Sequence, residues 1–307
     1  MNTRPSRFFA ALSSGFAFFA FVVGMGAVSP LRAAFAPPAL SVNSSYRWTE
    51  NISRASGAAD FRDAAEYELG GQARFVRQLT PRLLARLDLE VAGWTSPEYD
   101  LLDRLEFGPR LVLTRKMGLG PEAWVLAVET GLTGRTGRLN DADSLGAKAG
   151  LTLSKRFGPW FSTAVSGSWA GQEATDAAFD VAHYAAEARV NFDPHPRARF
   201  SFGVGRRDGT FTVGASGARF ARALAGALGP AVAGYFATIP TAHTELFAPG
   251  WVSYRVEAEM EEWWCEFSPA LTDRASVALR YGRAHFINRV DVEYRQDTVS
   301  LSFLYAF

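Results

Sequence analysis

The last dozen residues, Gln296 to Phe307, constrain this chain more than any other stretch. Val299, Leu301, Phe303, Tyr305 and Phe307 alternate with Ser300, Ser302, Leu304 and Ala306. Such period-two alternation marks a strand with a different environment on each side. With Phe307 as the final residue, nothing after it is expected to cover the apolar side. An open, apolar edge strand invites pairing with another chain. A sheet closed on itself within a bilayer removes both problems, because lipid meets the apolar side and the first strand meets the last.

Composition narrows the class further. The chain has 307 residues, a formal net charge of +1, 13% aromatic and 21% charged residues. Near-neutrality argues against nucleic-acid binding, which brings a basic excess. Mean hydropathy is close to zero, so a polytopic helical membrane protein is excluded. One apolar run, Phe8 to Val28, follows Arg4 and Arg7 and precedes small residues. That order reads as a secretory signal rather than a mature element. Ala34-Phe35-Ala36 fits small-x-small cleavage, which divides the chain into a signal peptide, 1–36, and a mature part, 37–307. The single cysteine, Cys265, makes no intramolecular disulfide and reads as a small apolar strand residue.

Taken in order, the mature chain reads as about twelve alternating segments. Ala65–Leu79 is the cleanest: Tyr67, Leu69, Gly71, Ala73 and Phe75 share one face, and Glu66, Glu68, Gln72 and Arg74 the other. The others are Leu40–Ser53, Leu83–Thr95, Arg104–Lys116, Glu122–Thr133, Asp143–Phe157, Trp160–Gly171, Val181–Asp193, Ala198–Arg207, Trp251–Glu266, Ala275–Phe286 and Gln296–Phe307. Most exceed the roughly 9–11 residues that a tilted strand needs to cross hydrocarbon. Short connections carry Pro81, Pro121, Pro159, Pro194 with Pro196, and Pro269, and they alternate with longer polar ones. Proline suits tight turns because it fixes φ and cannot donate to a ladder. Short turns at one end and long loops at the other are the arrangement of an outer-membrane barrel. One segment departs from the pattern. Residues 208–250 read as a long external loop with a weak helix around Phe220 to Leu228, expected either to cap the mouth or to fold inward.

The two faces define two environments. Aromatic residues gather towards strand ends on the apolar face, among them Tyr46, Trp48, Trp124, Phe161, Trp169, Tyr184 and Phe192, as membrane girdles do. The other face carries Glu66, Glu68, Asp88, Glu90, Glu106, Glu129 and Glu187, with Arg74, Arg86, Arg110, Lys148, Arg189, Arg199, Arg255 and Arg280. Glu257-x-Glu259-x-Glu261 adds a glutamate ladder, expected either to bias a lumen towards cations or to face basic side chains on adjacent strands. Unpaired buried charge is expensive, so an interior this balanced implies ion pairs with water between them. The expected lining residues are Glu68, Arg74, Arg86, Asp88, Glu90, Arg110, Glu187, Arg189, Arg255, Glu257, Glu259, Glu261 and Arg280.

Catalytic and cofactor motifs are sparse. There is no Gly-x-Ser-x-Gly, no His-Glu-x-x-His and no cysteine pair, so neither catalytic residues, metal nor cofactor is expected. The histidines are His183, His195, His243 and His285. A hydrolase would need His183 or His285 beside a serine and a carboxylate or amide.

The terminal strand resembles the C-terminal signature of bacterial outer-membrane β-barrel proteins, an aromatic-alternating strand ending in Phe that the barrel-assembly machinery reads. Tyr254-Arg255 after an Ala-rich segment, and the closing Tyr294, Val299, Leu301, Ser302, Leu304, Tyr305 and Phe307, are similar to uncharacterised barrels of Gram-negative bacteria. Ala306 stands where a basic residue is commoner. The resemblance implies an all-β, antiparallel transmembrane barrel in the outer membrane. Its partners would be membrane lipid, the assembly machinery at Phe307 and a small polar solute, with no nucleic acid. The leading functional expectation is a porin-like passive channel or binding barrel. An outer-membrane lipid hydrolase and a closed structural or adhesive barrel are the alternatives.

Overall fold

The computed structural model describes residues 37–307, so the expected signal peptide, 1–36, lies outside the described residues. The strands are β1 (Ala39–Glu50), β2 (Ala64–Thr80), β3 (Leu83–Thr95), β4 (Arg104–Met117), β5 (Trp124–Gly137), β6 (Ser144–Arg156), β7 (Phe161–Ala174), β8 (Val181–His195), β9 (Ala198–Ser216), β10 (Thr241–Thr244), β11 (Trp251–Pro269), β12 (Ala275–Asn288) and β13 (Glu293–Ala306). All but β10 follow one another around a closed antiparallel barrel of twelve strands.

Closure rests on two ladders. β13 pairs with β1 from Ser41↔Ala306 to Glu50↔Asp297, and the Phe307 N–H donates to the Leu40 carbonyl at 3.0 Å. The terminal strand is therefore not an edge. β9 pairs with β11 from Ala198↔Pro269 to Ser216↔Trp251 without a register shift, which closes the barrel across the long insertion between them. Leu69, Leu89, Phe107, Leu145, Val165, Phe202, Leu279 and Leu301 stand exposed on the outer wall. Tyr46, Tyr67 and Tyr184 lie exposed near the long-loop rim, and Trp124, Trp160, Phe161, Phe192 and Phe307 near the short-turn rim. An apolar belt between two aromatic girdles is the outer surface of a transmembrane barrel.

Four of the long loops share one construction. Each contains a single 3-10 turn (Ala58–Asp60, Asp100–Leu102, Asn140–Ala142, Ala177–Phe179). An aspartate follows, immediately before the next strand. Asp63, Asp103, Asp143 and Asp180 accept hydrogen bonds from the backbone N–H groups of Asn51 (3.1 Å), Ser96 (3.0 Å), Gly137 (2.8 Å) and Ala174 (2.8 Å), respectively. The carboxylate satisfies a donor that the end of the ladder would otherwise orphan. The recurrence, roughly every forty residues, is a sequence signal that pattern reading by strands alone passes over.

The segment expected to be a loop at 208–250 is built differently. β9 continues to Ser216, and α1 (Gly217–Leu224) and α2 (Pro230–Phe236) follow. β10 then adds to the free side of β11, Thr241↔Tyr254 to Thr244↔Trp251. Its apolar residues form the main hydrophobic cluster among the described residues. Phe211, Val213, Phe220, Val232, Phe236, Val252, Tyr254 and Val256 pack with Phe286 and Tyr294. Phe236 meets Phe220 and Tyr254 with ring centroids 5.7 and 5.3 Å apart.

This unit lies over the mouth as a lid. The Ser216 N–H donates to Asp60 in the β1–β2 loop at 3.1 Å. Thr212 Oγ1 donates to the Ala178 carbonyl in the β7–β8 loop at 3.0 Å, and Arg255 pairs with Asp180 at 3.1 Å. Phe247 meets Tyr99 of the β3–β4 loop edge-on at 5.0 Å. That loop is on the far side of the barrel from β9 and β11 in strand order, so the lid spans the mouth.

Truncating Phe236 to Ala should cost the lid about 3–5 kcal/mol of packing. Limited proteolysis should then cut between residues 217 and 250 while the barrel keeps its folded migration in cold detergent gels. Loss of both together would mean that lid and barrel form one cooperative unit. Replacing Asp103 by Ala should cost about 1–3 kcal/mol, read as a lower unfolding midpoint in urea.

Candidate functional site: an arginine-lined chamber beneath the lid

Alternation places the inner wall. Beside the exposed Tyr67 and Leu69 of β2 lie the inward Glu66, Glu68, Gln72 and Arg74, and β3 and β4 present Arg86, Asp88, Glu90, Arg104, Glu106 and Arg110. These charges form two tiers. In the lower one Asp88 is fully buried and takes Arg74 (2.9 Å), Arg86 (3.0 Å) and Arg110 (3.2 Å). Arg110 also reaches Glu90 at 3.0 Å, and Glu129 holds Lys148 at 2.7 Å. One buried carboxylate shared by three guanidiniums offsets the cost of desolvating it. In the upper tier Glu66 pairs with Arg47 (2.7 Å) and Arg104 (2.6 Å), and the Trp94 ring lies within 4.4 and 4.7 Å of those two cations. Glu68 accepts from Asn43 and Ser45, both at 2.7 Å.

Above and across from these tiers the lumen opens into a chamber of ≈ 680 Å³ beneath the lid. Arg47, Arg54, Arg135, Arg207, Arg280 and His183 line it, and Glu262 is the only carboxylate among its described lining residues. Phe179, Phe211, Phe247 and Phe286 supply its apolar wall. A second cavity of ≈ 410 Å³, lined by Glu129, Lys148, Glu187 and Arg189, adjoins it through His183, Arg207 and Glu262. Glu262 grips Arg207 bidentately at 2.9 and 3.0 Å. Trp264 lies flat across the inner wall because Gly203 has no side chain, for a Cβ there would meet the indole at 2.3 Å. Arg280 stacks on the indole at 4.0 Å.

Arg54 is placed by its loop. Asn51 is buried, donates to the carbonyls of Ala55 (3.0 Å) and Arg295 (2.6 Å), and accepts from the Ala55 N–H at 2.8 Å. The clamp holds Arg54 at φ 49°, a left-handed conformation that a side chain of this size rarely adopts. Its Nη1 makes one long contact, 3.5 Å, to the Thr212 carbonyl of the lid. Burial, with the charges of Arg207 and Arg47 nearby, pushes its pKa down to about 10.

The expected lining residues divide into three groups. Glu68, Arg74, Arg86, Asp88, Glu90 and Arg110 stand on the inner wall in the ion-pair tiers; Glu187, Arg189 and Arg280 line the two cavities. Arg255 belongs to the lid. As lumen lining the glutamate ladder is corrected, while its alternative of basic partners on an adjacent strand holds for Glu259. Ala258, Met260, Glu262 and Trp264 are the inward residues of β11, so Glu257, Glu259 and Glu261 share the other face with the exposed Trp263, Cys265 and Phe267. Glu259 pairs with Arg206, Glu257 with Arg289, and Glu261 stands opposite His285. The ladder lies on the outer face of β11, and Glu261 borders a groove that includes Val165 and Val204. Reading a face by its charges alone inverts β11. Arg54, Arg135, Arg207 and Glu262 were not singled out from sequence. Parity from Trp263 would have found Glu262 and, through pairing, Arg207; nothing local marks Arg54.

The His183 ring stacks on Phe211 at 5.8 Å and its Nδ1 has no hydrogen-bond partner; His285 faces Glu293 at 3.5 Å. Neither meets a serine among the described residues. No group of three His, Cys, Asp or Glu that would hold a metal occurs among them.

No protein-family model matches the chain, and no curated protein matches its sequence. Solved structures do match in shape. The COG4313 outer membrane channel from Pseudomonas putida F1 superposes with a TM-score of 0.55 at 14% identity, over 91% of this chain and 100% of that one. The chain has the fold of an outer-membrane channel. Looser likenesses extend to the KdgM porin in complex with oligogalacturonate (TM-score 0.42, 7% identity, 87% of this chain and 99% of that one). The CymD monoaromatic hydrocarbon channel is another (0.44, 12%, 89% of each).

Replacing Asp88 by Ala leaves three guanidiniums without their shared anion and should cost about 3–5 kcal/mol. Urea unfolding of the refolded barrel measures it, and added salt should recover part of the loss.

Proposed function

We propose that the chain is a porin-like passive channel of the bacterial outer membrane, for a small polar solute, with the lid end facing outward. The observation that carries this reading is the pair of adjoining, charge-lined cavities inside a barrel whose outer wall is apolar. Fixed ion pairs keep the wall polar and leave the remaining space to water and solute. Short turns at the opposite end would then be periplasmic, with Phe307 among them as the terminal signal for the assembly machinery. The barrel acts by passage rather than by catalysis. Relatives in shape that are channels support the same reading, and the outer-membrane location follows from it.

A closed structural or adhesive barrel is the second reading, favoured by the packing of the lid across the mouth. Planar-bilayer recording separates the two. The comparison is between the mature protein and a variant in which residues 211–256 are replaced by Asn-Gly, joining the paired Thr210 of β9 and Glu257 of β11 through a tight hairpin turn. A channel should show discrete small openings that become several-fold larger without the lid. Silence from both correctly folded proteins would support the closed barrel.

A further inference from the structure

We propose that the chamber beneath the lid is a binding site for a small organic anion, whose carboxylate is taken by Arg54 and Arg135 and whose apolar body lies against Phe179, Phe211 and Phe247. The proposal names the solute class of the channel reading and rests on it.

Two of the chamber cations are already satisfied. Arg47 is neutralised by Glu66, and Arg207 by Glu262. Arg54 and Arg135 also line the chamber, and neither has a carboxylate partner among the described residues. Arg54 offers its fork to one backbone carbonyl at long range. A guanidinium is planar and presents paired donors that match a carboxylate. Leaving two of them unmatched in a partly enclosed cavity is costly, and the cost rises where like charges face one another. Burial first, then the charges of Arg207, Arg47 and Arg135, weaken the hold of Arg54 on its proton, and Glu66 offsets them only in part. A group kept in a strained backbone conformation, against its own electrostatics, marks function rather than stability.

The rest of the chamber selects among anions. Phosphate or chloride would gain nothing from phenyl rings. A ring or chain bearing one carboxylate would bury its apolar part against them and present its charge to the arginines. A cation is disfavoured by the surplus of guanidiniums over the single carboxylate of the described lining.

The test is equilibrium binding to the full mature barrel refolded in detergent, with benzoate as the probe and benzyl alcohol, inorganic phosphate and chloride as controls. Calorimetry should show benzoate binding at least tenfold tighter than any control. Arg135→Gln and Arg54→Gln should each weaken benzoate at least fivefold, and Arg54→Gln should leave the melting temperature unchanged or raised. Benzyl alcohol binding as well as benzoate would overturn the proposal, as would phosphate binding better than benzoate or an Arg135→Gln barrel with unchanged affinity. Binding needs no conduction, so the two readings fail separately. A silent barrel that takes benzoate keeps the site and loses the channel, and a conducting barrel indifferent to benzoate does the reverse.

Discussion

The constraint on which everything else depends is that backbone N–H and C=O groups in hydrocarbon have no water to turn to. Each unpaired group costs several kcal/mol, on the order set by transfer to an apolar phase. The sheet must therefore return to its own first strand, and the β13–β1 ladder with its final Phe307 to Leu40 bond is where it does so. Closure then dictates the alternation. Each strand gives lipid one set of residues and the interior the other, and the interior of a twelve-stranded barrel is too wide for aliphatic side chains to fill. Charges fill it here, tied in tiers around Asp88 and Glu66.

With the outer wall given to lipid and the inner wall to ion pairs, the barrel has little hydrophobic core of its own. The main buried cluster is the lid. Two strands extended past the barrel rim, two short helices and β10 enclose Phe211, Phe220, Phe236 and Tyr254 in the manner of a small soluble domain. The lid is anchored by polar bonds from its margins to Asp60, Ala178 and Asp180 in loops around the rim. Its core also runs into the barrel wall, where Phe211 meets Phe286 of β12 edge-on at 5.5 Å and Tyr294 of β13 joins the same cluster. Arg54 touches the lid through Thr212 and lines the chamber, so one loop connects the state of the lid with the electrostatics beneath it.

Much of the fold was legible in the sequence. The twelve alternating segments, the proline turns and the terminal aromatic strand follow from a period of two, and the strands fall within a few residues of the expected spans except where β9 runs on to Ser216. That extension was hidden because Gly209, Gly214 and the Ala-rich tract that follows look like loop composition, while the pairing that makes residues 208–216 strand comes from β11, some forty residues later. The glutamate ladder misled for a related reason. Charge alone does not mark the inner face, for Glu257 and Glu259 stand on the outer face with Arg289 and Arg206 as partners. The chamber was least legible, since Arg54, Arg135 and Arg207 come from a loop and two distant strands. Only the closed barrel brings them together.

Control of entry to the chamber by the lid is tested at the Tyr99–Phe247 contact. In a Cys265→Ala background, Tyr99→Cys and Phe247→Cys can be bridged by a short bismaleimide, and single-channel conductance recorded before and after. The bridge is expected to form within one chain, and openings to cease or shrink several-fold while the barrel stays folded. Unchanged conductance with the bridge demonstrably formed would contradict that control, for the lid would then be a cover that solutes bypass.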